Sequence, residues 1–431
     1  MRSEKRKKYI IMVLALLLVI SVPVSYLRVL TAAEYIDGGK KGAILDRCGL
    51  TLYDDGCVAP ELLGNVLGGN GMIDNALSVR YAQELKASGF SPLVGIESLE
   101  GQVGDSMITT LLPVSAQEKL AEAFGEYNGC CFAYNYVTGE VYVMLSLPSS
   151  LSEGATDGAY WNRCLHSLYI PGSTMKIVAA ICALEQDSSL DGFTYTCTGQ
   201  EVLADGNTVT CGTSHGTLDL KGALGRSCNC YMAALIQQFD LERTWEILNG
   251  LGISQTGNEE KAFVDKLVRM TSRTQFNSTQ SFNDVWSLIG QGYTEANVVD
   301  MAMIAGAVAN GGSVAKPYVV QSIVSADGEE TAYEAQIGEM TRLLSQRTAN
   351  QLYEIWSDAV DTYYRSGKSQ VVDQITSAKT GTAQIGNGNT NRMLVGVMEE
   401  KNVAFMVVCE DLPSGDPLCS TIANLLAELV P

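Results

Sequence analysis

Three short groups of polar residues could do chemistry together in this chain of 431 residues: Ser173 with Lys176, Ser227 with Asn229, and the run Lys379-Thr380-Gly381-Thr382-Ala383. A serine hydroxyl is a weak nucleophile at its ordinary pKa and needs a base within hydrogen-bond reach. In the first turn of a helix, a lysine three residues on shares the serine's face and can be that base, provided its amine is neutral. Burial and a nearby second cation both lower a lysine pKa, and the apolar run Ile177 to Leu184 would supply the burial. The helix N-terminus also favours negative charge developing at Ser173.

The other two groups could share a cleft with the first. Ser227 and Asn229, on a loop at a helix end, can point into one cleft, where Ser227 could relay a proton and Asn229 bond a substrate amide. Along a strand, alternation puts Lys379 and Gly381 on one side and Thr380 and Thr382 on the other. Gly381 lets a ligand approach the backbone. An edge strand there would offer its main chain to an extended peptide, and the threonine hydroxyls with the Lys379 charge could hold a terminal carboxylate. Each group alone has an ordinary reading, as a capped helix or a lysine guarding a sheet edge. Their occurrence together, in this order, is hard to credit to chance.

The elements that must position these groups can be read from pattern. Ser115 to Phe124 predicts an amphipathic helix, and Gly129 to Tyr136 with Glu140 to Leu147 predicts a hairpin through Val137-Thr138-Gly139. Helices follow from Ser173, from near Leu218, from Trp245 to Leu251, from Thr294 to Ala309 and from Gln346 to Tyr364, with a mostly polar stretch up to Thr217. Strands are expected at Ile375 to Gln384, Arg392 to Met398 and Val403 to Glu410, and a closing helix at Ser420 to Leu429. Two strands, a helical insert, three strands and a terminal helix imply a mixed α/β (α+β) domain whose single sheet is assembled from both ends, with helices on its faces. Upstream, Lys41 to Gly49 reads as strand and turn and Asp74 to Ser88 as a helix.

Composition narrows the function classes. The net charge is -19, and residues 1 to 8 are basic, so the remainder is more acidic still and nucleic-acid binding is disfavoured. Two histidines, His166 and His215, leave little scope for a Ser/His/Asp triad or a histidine-rich metal site. Twelve cysteines lack a paired Cys-x-x-Cys array, which argues against zinc, and no metal or cofactor is expected. Cys197 and Cys211 could be bridged outside the cell. Arg2, Lys5, Arg6, Lys7 and Lys8 precede a nearly uncharged apolar run, Tyr9 to Leu27, about the ~20 residues needed to span a bilayer. The run exceeds the h-region of a cleaved signal, so the reading is an uncleaved anchor with its basic end in the cytoplasm and the main body exported. The segments are then 1–8 a cytoplasmic tail, 9–30 a transmembrane anchor, 31–114 an N-terminal non-catalytic module, and 115–431 the catalytic domain.

The Ser-x-x-Lys, Ser-x-Asn and Lys-Thr-Gly elements, in that order, resemble those of penicillin-binding proteins. Gly290-Gln291-Gly292, Ala309-Asn310-Gly311-Gly312 followed by Pro317, and Asn162-Arg163 fit the monofunctional class B transpeptidases, and Lys41 to Gly49 is similar to their N-terminal signature with Lys41 and Cys48 as departures. The resemblance spans roughly residues 40 to 431. It implies a serine transpeptidase/β-lactamase-like fold with a mainly antiparallel five-stranded sheet. It further implies a D,D-transpeptidase in which Ser173 attacks the penultimate carbonyl of a D-Ala-D-Ala stem peptide and Lys176 takes its proton. The backbone N–H groups of Ser173 and Thr382 would form the oxyanion hole. Ser227 and Lys379 would pass a proton to the departing D-alanine, Thr380 and Thr382 would hold the terminal carboxylate, and Asn229 the peptide amide. β-Lactams should acylate the same serine, and a membrane glycan polymerase is the implied partner. The alternatives on this fold are a D,D-carboxypeptidase, a β-lactamase or β-lactam sensor, and a silent scaffold; the intact motifs disfavour the last, and no Glu-x-x-x-Asn element between Ser227 and Lys379 supports a class A β-lactamase.

Overall fold

Strands on either side of a long helical insert meet in one antiparallel sheet. In the computed structural model, which describes residues 43–48, 77, 81, 107–110, 113–148, 162–255, 260–262, 267–325, 329–367, 369–385 and 388–431, the chain begins with β1 (Ala43–Leu45) and β2 (Met107–Thr110), then α1 (Val114–Phe124), β3 (Gly129–Asn135) and β4 (Val141–Leu147). A 3-10 turn, Gly172–Met175, leads into α2 (Lys176–Gln186). Four three-residue strands follow, β5 (Tyr195–Cys197), β6 (Gln200–Val202), β7 (Thr208–Thr210) and β8 (Gly216–Leu218). The helical insert comprises α3 (Leu220–Gly225), α4 (Asn229–Ile236), α5 (Leu241–Gly250), α6 (Phe282–Leu288) and α7 (Val298–Ala309). Beyond it come β9 (Val320–Val324), β10 (Thr331–Glu334), α8 (Gln346–Tyr363), β11 (Ser377–Gln384), β12 (Thr390–Met398), β13 (Val403–Leu412) and α9 (Leu418–Leu429).

The central sheet has the order β11-β12-β13-β3-β4, every neighbour antiparallel. All seven residues of β3 are buried, as are the first seven of β13, so these strands read as continuous apolar runs rather than alternating ones. That pattern requires cover on both faces. The apolar α7 lies on one face, and α1 packed against α9 lies on the other. The β11 strand is an edge, as the sequence predicted, and it is steadied from outside by α8, where buried Trp356 donates its indole N–H to the Ala378 carbonyl at 2.9 Å.

Two differences from the sequence reading have plain causes. The stretch before Thr217 is two nested hairpins, β5 with β8 and β6 with β7; strands of three residues are too short to leave an alternation signal. Helix α7 begins at Val298 rather than Thr294, because Asn297 caps it by accepting the Val299 N–H at 2.9 Å while Ala296 pairs its backbone with Tyr169. A separate four-stranded sheet, β1-β2-β9-β10, joins strands on either side of residue 114. Arg47 stacks over the Tyr142 ring at 5.3 Å, and the Asp46 carboxylate accepts from Val114 N–H at 3.3 Å, tying β1 to the central sheet. The expected anchor, residues 9–30, and the helix expected at Asp74 to Ser88, save for Leu77 and Tyr81, lie outside the described residues; among the described residues no helix is long and apolar enough to cross a membrane.

Asn297 also fixes the approach to Ser173. Its buried amide donates to the Cys164 carbonyl at 3.0 Å and the Ser167 carbonyl at 3.3 Å while its oxygen caps α7. Asn297→Ala removes a cap and strands buried carbonyls, so it should cost about 2 kcal/mol or more. Urea unfolding should show a lower midpoint at unchanged slope.

Candidate active site

Ser173 sits in the middle of the 3-10 turn, and Lys176 is the first residue of α2. Side chains three apart nearly eclipse in a 3-10 turn, so the lysine lies directly over the serine: Nζ is 2.9 Å from Ser173 Oγ. The sequence placed both on one α-helical face; the tighter turn brings them closer. Two glycines make the turn possible. Gly172 has φ +53, and a Cβ there would meet the Thr382 backbone nitrogen at 2.8 Å; Gly290 has φ +101, and a Cβ there would collide with the Gly172 carbonyl oxygen. The nucleophile turn is thus pressed between the 290 loop and the edge strand β11, and Gln291 donates to the Thr382 carbonyl at 3.1 Å.

All the predicted residues converge here. Lys176 Nζ donates to the Ser227 carbonyl at 2.7 Å and to Asn229 Oδ1 at 2.7 Å, and lies 3.1 Å from Ser227 Oγ. From β11, Lys379 Nζ reaches the same Ser227 Oγ at 3.0 Å and the Thr380 carbonyl at 2.9 Å. Ser227 therefore bridges two lysines. Both are fully buried. Burial, reinforced by the facing Lys379 charge, pushes the Lys176 ammonium well below its ordinary range, and burial lowers Lys379 to about 7.

These contacts orient the Lys176 amine. A neutral amine has two N–H donors and one lone pair. In the neutral form the Ser227 carbonyl and Asn229 Oδ1 would take the two hydrogens, which would leave the lone pair for the Ser173 hydroxyl. Asn229 is held in turn by donating to the Thr210 carbonyl at 3.0 Å, so its oxygen serves Lys176 where the sequence assigned the side chain to a substrate amide. Ser227 itself has φ +54, a left-handed conformation unusual for a residue with a Cβ.

On β11, Lys379 and Gly381 are buried, Thr380 is half-buried and Thr382 is exposed at the groove, following the expected alternation. Thr380 Oγ1 lies 3.2 Å from the hydroxyl of Tyr364, a residue the sequence reading missed because only the end of α8 brings it there. One reading of the cysteines is corrected: Cys197 and Cys211 are free thiols, not a bridge. Cys197, Cys211, His215 and Cys228, which no sequence spacing groups, come together beside Ser227.

The profile of the penicillin binding protein transpeptidase domain matches residues 129–424, and the chain belongs to that family. Penicillin-binding protein PbpB of Mycolicibacterium smegmatis is 28% identical over 289 residues, 63% of this chain and 43% of that protein. Stage V sporulation protein D of Bacillus subtilis is 26% identical over 299 residues, 65% of this chain and 43% of that one. The chain thus spans less than half the length of these relatives. Among solved structures, the D,D-transpeptidase domain of a peptidoglycan glycosyltransferase from Eggerthella lenta superposes with a TM-score of 0.75 at 22% identity, covering 91% of this chain and 98% of that one. The ceftriaxone acyl-enzyme complex of penicillin-binding protein A from Mycobacterium tuberculosis gives 0.76 at 18%, covering 92% and 99%.

The buried lysines link stability to pH with a definite sign. The folded pKa of Lys379, about 7, lies below the 10.5 of a free lysine, so between these values the unfolded chain binds the additional proton. Stability then climbs with pH across that window, and the Lys176 contribution has the same sign. Denaturant midpoints measured upward from neutral pH should rise, and Lys379→Met should flatten the rise.

Proposed function

We propose that the protein is a peptidoglycan D,D-transpeptidase that crosslinks stem peptides through a Ser173 acyl-enzyme and is blocked by β-lactams at the same residue. The observation that carries this reading is the Lys176 amine, buried, its pKa pushed well below the ordinary lysine range, and held beside Ser173 by the Ser227 carbonyl and Asn229.

In the first half-reaction Lys176 takes the Ser173 proton as Oγ attacks the carbonyl of a terminal D-Ala-D-Ala. The closeness of Gly172 to the Thr382 backbone supports an oxyanion hole made of the Ser173 and Thr382 N–H groups, donors typically worth about 3 kcal/mol each. The proton then travels through Ser227, which touches both lysines, to the departing D-alanine. Lys379 keeps that path polarised and, with Thr380 and Thr382, binds the terminal carboxylate. β11 is an edge strand of the sheet, a position that suits pairing with an extended peptide, which would compete with the contacts that Trp356, Lys379 and Gln291 make to its carbonyls. In the second half-reaction an amine of a neighbouring stem peptide takes the acyl group; with water as acceptor the same machinery would be a carboxypeptidase, which product analysis separates. We further propose that residues 9–30 anchor the protein in the cell membrane with 1–8 cytoplasmic and the catalytic domain outside. There, residues 31–114 would serve a membrane glycan polymerase.

The test of the nucleophile is direct. Ser173→Ala should abolish covalent labelling by a fluorescent penicillin, and persistent labelling would refute the assignment. The rate of labelling should rise with pH as Lys176, its pKa lowered by burial, gives up its proton, and decline above about 7 as Lys379 loses its own. Lys379→Arg keeps its charge at all these pH values, so any activity it retains should lack the alkaline decline.

A further inference from the structure

Beside the Ser227–Asn229 loop, four side chains that the reaction above does not use converge on one point. Cys197 ends β5, Cys211 and His215 lie in the connection from β7 to β8, and Cys228 sits between the two active-site residues. One ligand atom from each lies within 4.8 Å of all the others. The sulfurs of Cys211 and Cys228 are 3.7 Å apart, and Cys197 Sγ is 3.5 Å from His215 Nδ1. Tetrahedral zinc, with Zn–S of about 2.3 Å and Zn–N of about 2.1 Å, has S···S edges of about 3.8 Å and S···N edges of about 3.6 Å. Both separations match those edges. A disulfide would instead need sulfurs about 2.05 Å apart and would leave the third thiol and the imidazole unexplained.

The surroundings favour sulfur as an acceptor. The Cys230 N–H points at Cys211 Sγ at 3.4 Å, and the Tyr231 N–H, in the first turn of α4, at Cys228 Sγ at 3.3 Å. Such outer contacts orient and stabilise metal-bound thiolates. The hairpin insert also needs a fastening. Of residues 195–218, only Cys197, Leu203, Val209 and Leu218 are buried, too few apolar side chains to hold four three-residue strands in place. Cys197 and Cys228 are buried, while Cys211 and His215 are partly open, which gives an ion a way in.

We propose that Cys197, Cys211, His215 and Cys228 bind one structural Zn²⁺ ion, which staples the hairpin insert to the loop carrying Ser227 and Asn229. Loading releases the three thiol protons to solvent, and the ion keeps all four ligands from the protein, so it has no open position for substrate. Its role is to position. It fixes Cys228, and through it the left-handed Ser227 that both lysines address. The Thr210 carbonyl, one residue before Cys211, holds Asn229 from the other side.

The test uses the full-length chain purified in detergent under mild reductant. Plasma mass spectrometry should find one zinc per chain in the wild type and in Cys48→Ser, and loss of zinc in Cys211→Ser and His215→Ala. Should those variants fail to fold, the wild type answers alone: replacement by Co²⁺ should give the thiolate-to-metal charge-transfer band and intense visible bands of a tetrahedral thiolate site. Stripping with a chelator should slow acylation by penicillin about tenfold or more, and Zn²⁺ but not Mg²⁺ should restore it. A metal-free wild type with Cys211 and Cys228 mapped as a disulfide overturns the proposal. So does zinc content unchanged in the Cys211 and His215 variants, or acylation unchanged after stripping.

Discussion

Two lysines are buried within reach of a single serine hydroxyl, and most of the molecule serves to make that tolerable. A buried ammonium is costly unless its donors are met, and two of them facing one another cannot both stay charged cheaply. The structure answers with a fixed set of acceptors, the Ser227 carbonyl and Asn229 for Lys176, and the Thr380 carbonyl for Lys379. The acceptors for Lys176 come from the 227 loop and the start of α4, while Lys379 meets its own neighbour on β11 and Ser227, so the pocket holds its electrostatic balance only while α2, the 227 loop and β11 keep their places. The sheet, covered on both faces, provides that rigidity for β11.

Left-handed backbone occurs at the site, as it does at Asn402 and Asp411 away from it. Gly172 and Ser227 both adopt left-handed backbone conformations, and Gly290 adopts a third on the far side of the turn. A residue with a Cβ in that region costs on the order of 1–3 kcal/mol and persists only where its surroundings over-determine it. Around Ser227 the surroundings are two lysines on one side and the cysteine-lined hairpins on the other. In this conformation Ser227 presents both its carbonyl and its hydroxyl to Lys176.

Much of this was legible in the order of the residues. The three polar motifs survive as one cleft, and β3, β4, β11, β12, β13, α1 and α8 fall within a few residues of where apolar pattern and turn chemistry put them. What escaped was whatever depends on contacts distant in sequence. Tyr364 is an ordinary tyrosine at the end of an amphipathic helix until Thr380 arrives beside it. The cysteine and histidine group has spacings that match no familiar ligand motif, because its members come from two separate hairpin connections and from inside an active-site motif.

The sheet order has a further consequence for how the protein comes into being. Strands β3 and β13 are neighbours in space but nearly the whole catalytic region apart in sequence, and the lysine that completes the cleft lies on β11, late in the chain. Such non-local pairing raises contact order and slows folding. A nascent chain that has emerged only as far as α8 already contains Ser173, Lys176, Ser227 and Asn229, yet lacks three of the five strands. Its hairpin β3–β4 then presents a bare apolar edge until β13 arrives, an open invitation to aggregation during biogenesis. The full set of polar groups therefore comes together only once β11 has been made, and a chain cut short before Ser377 lacks Lys379 and its strand.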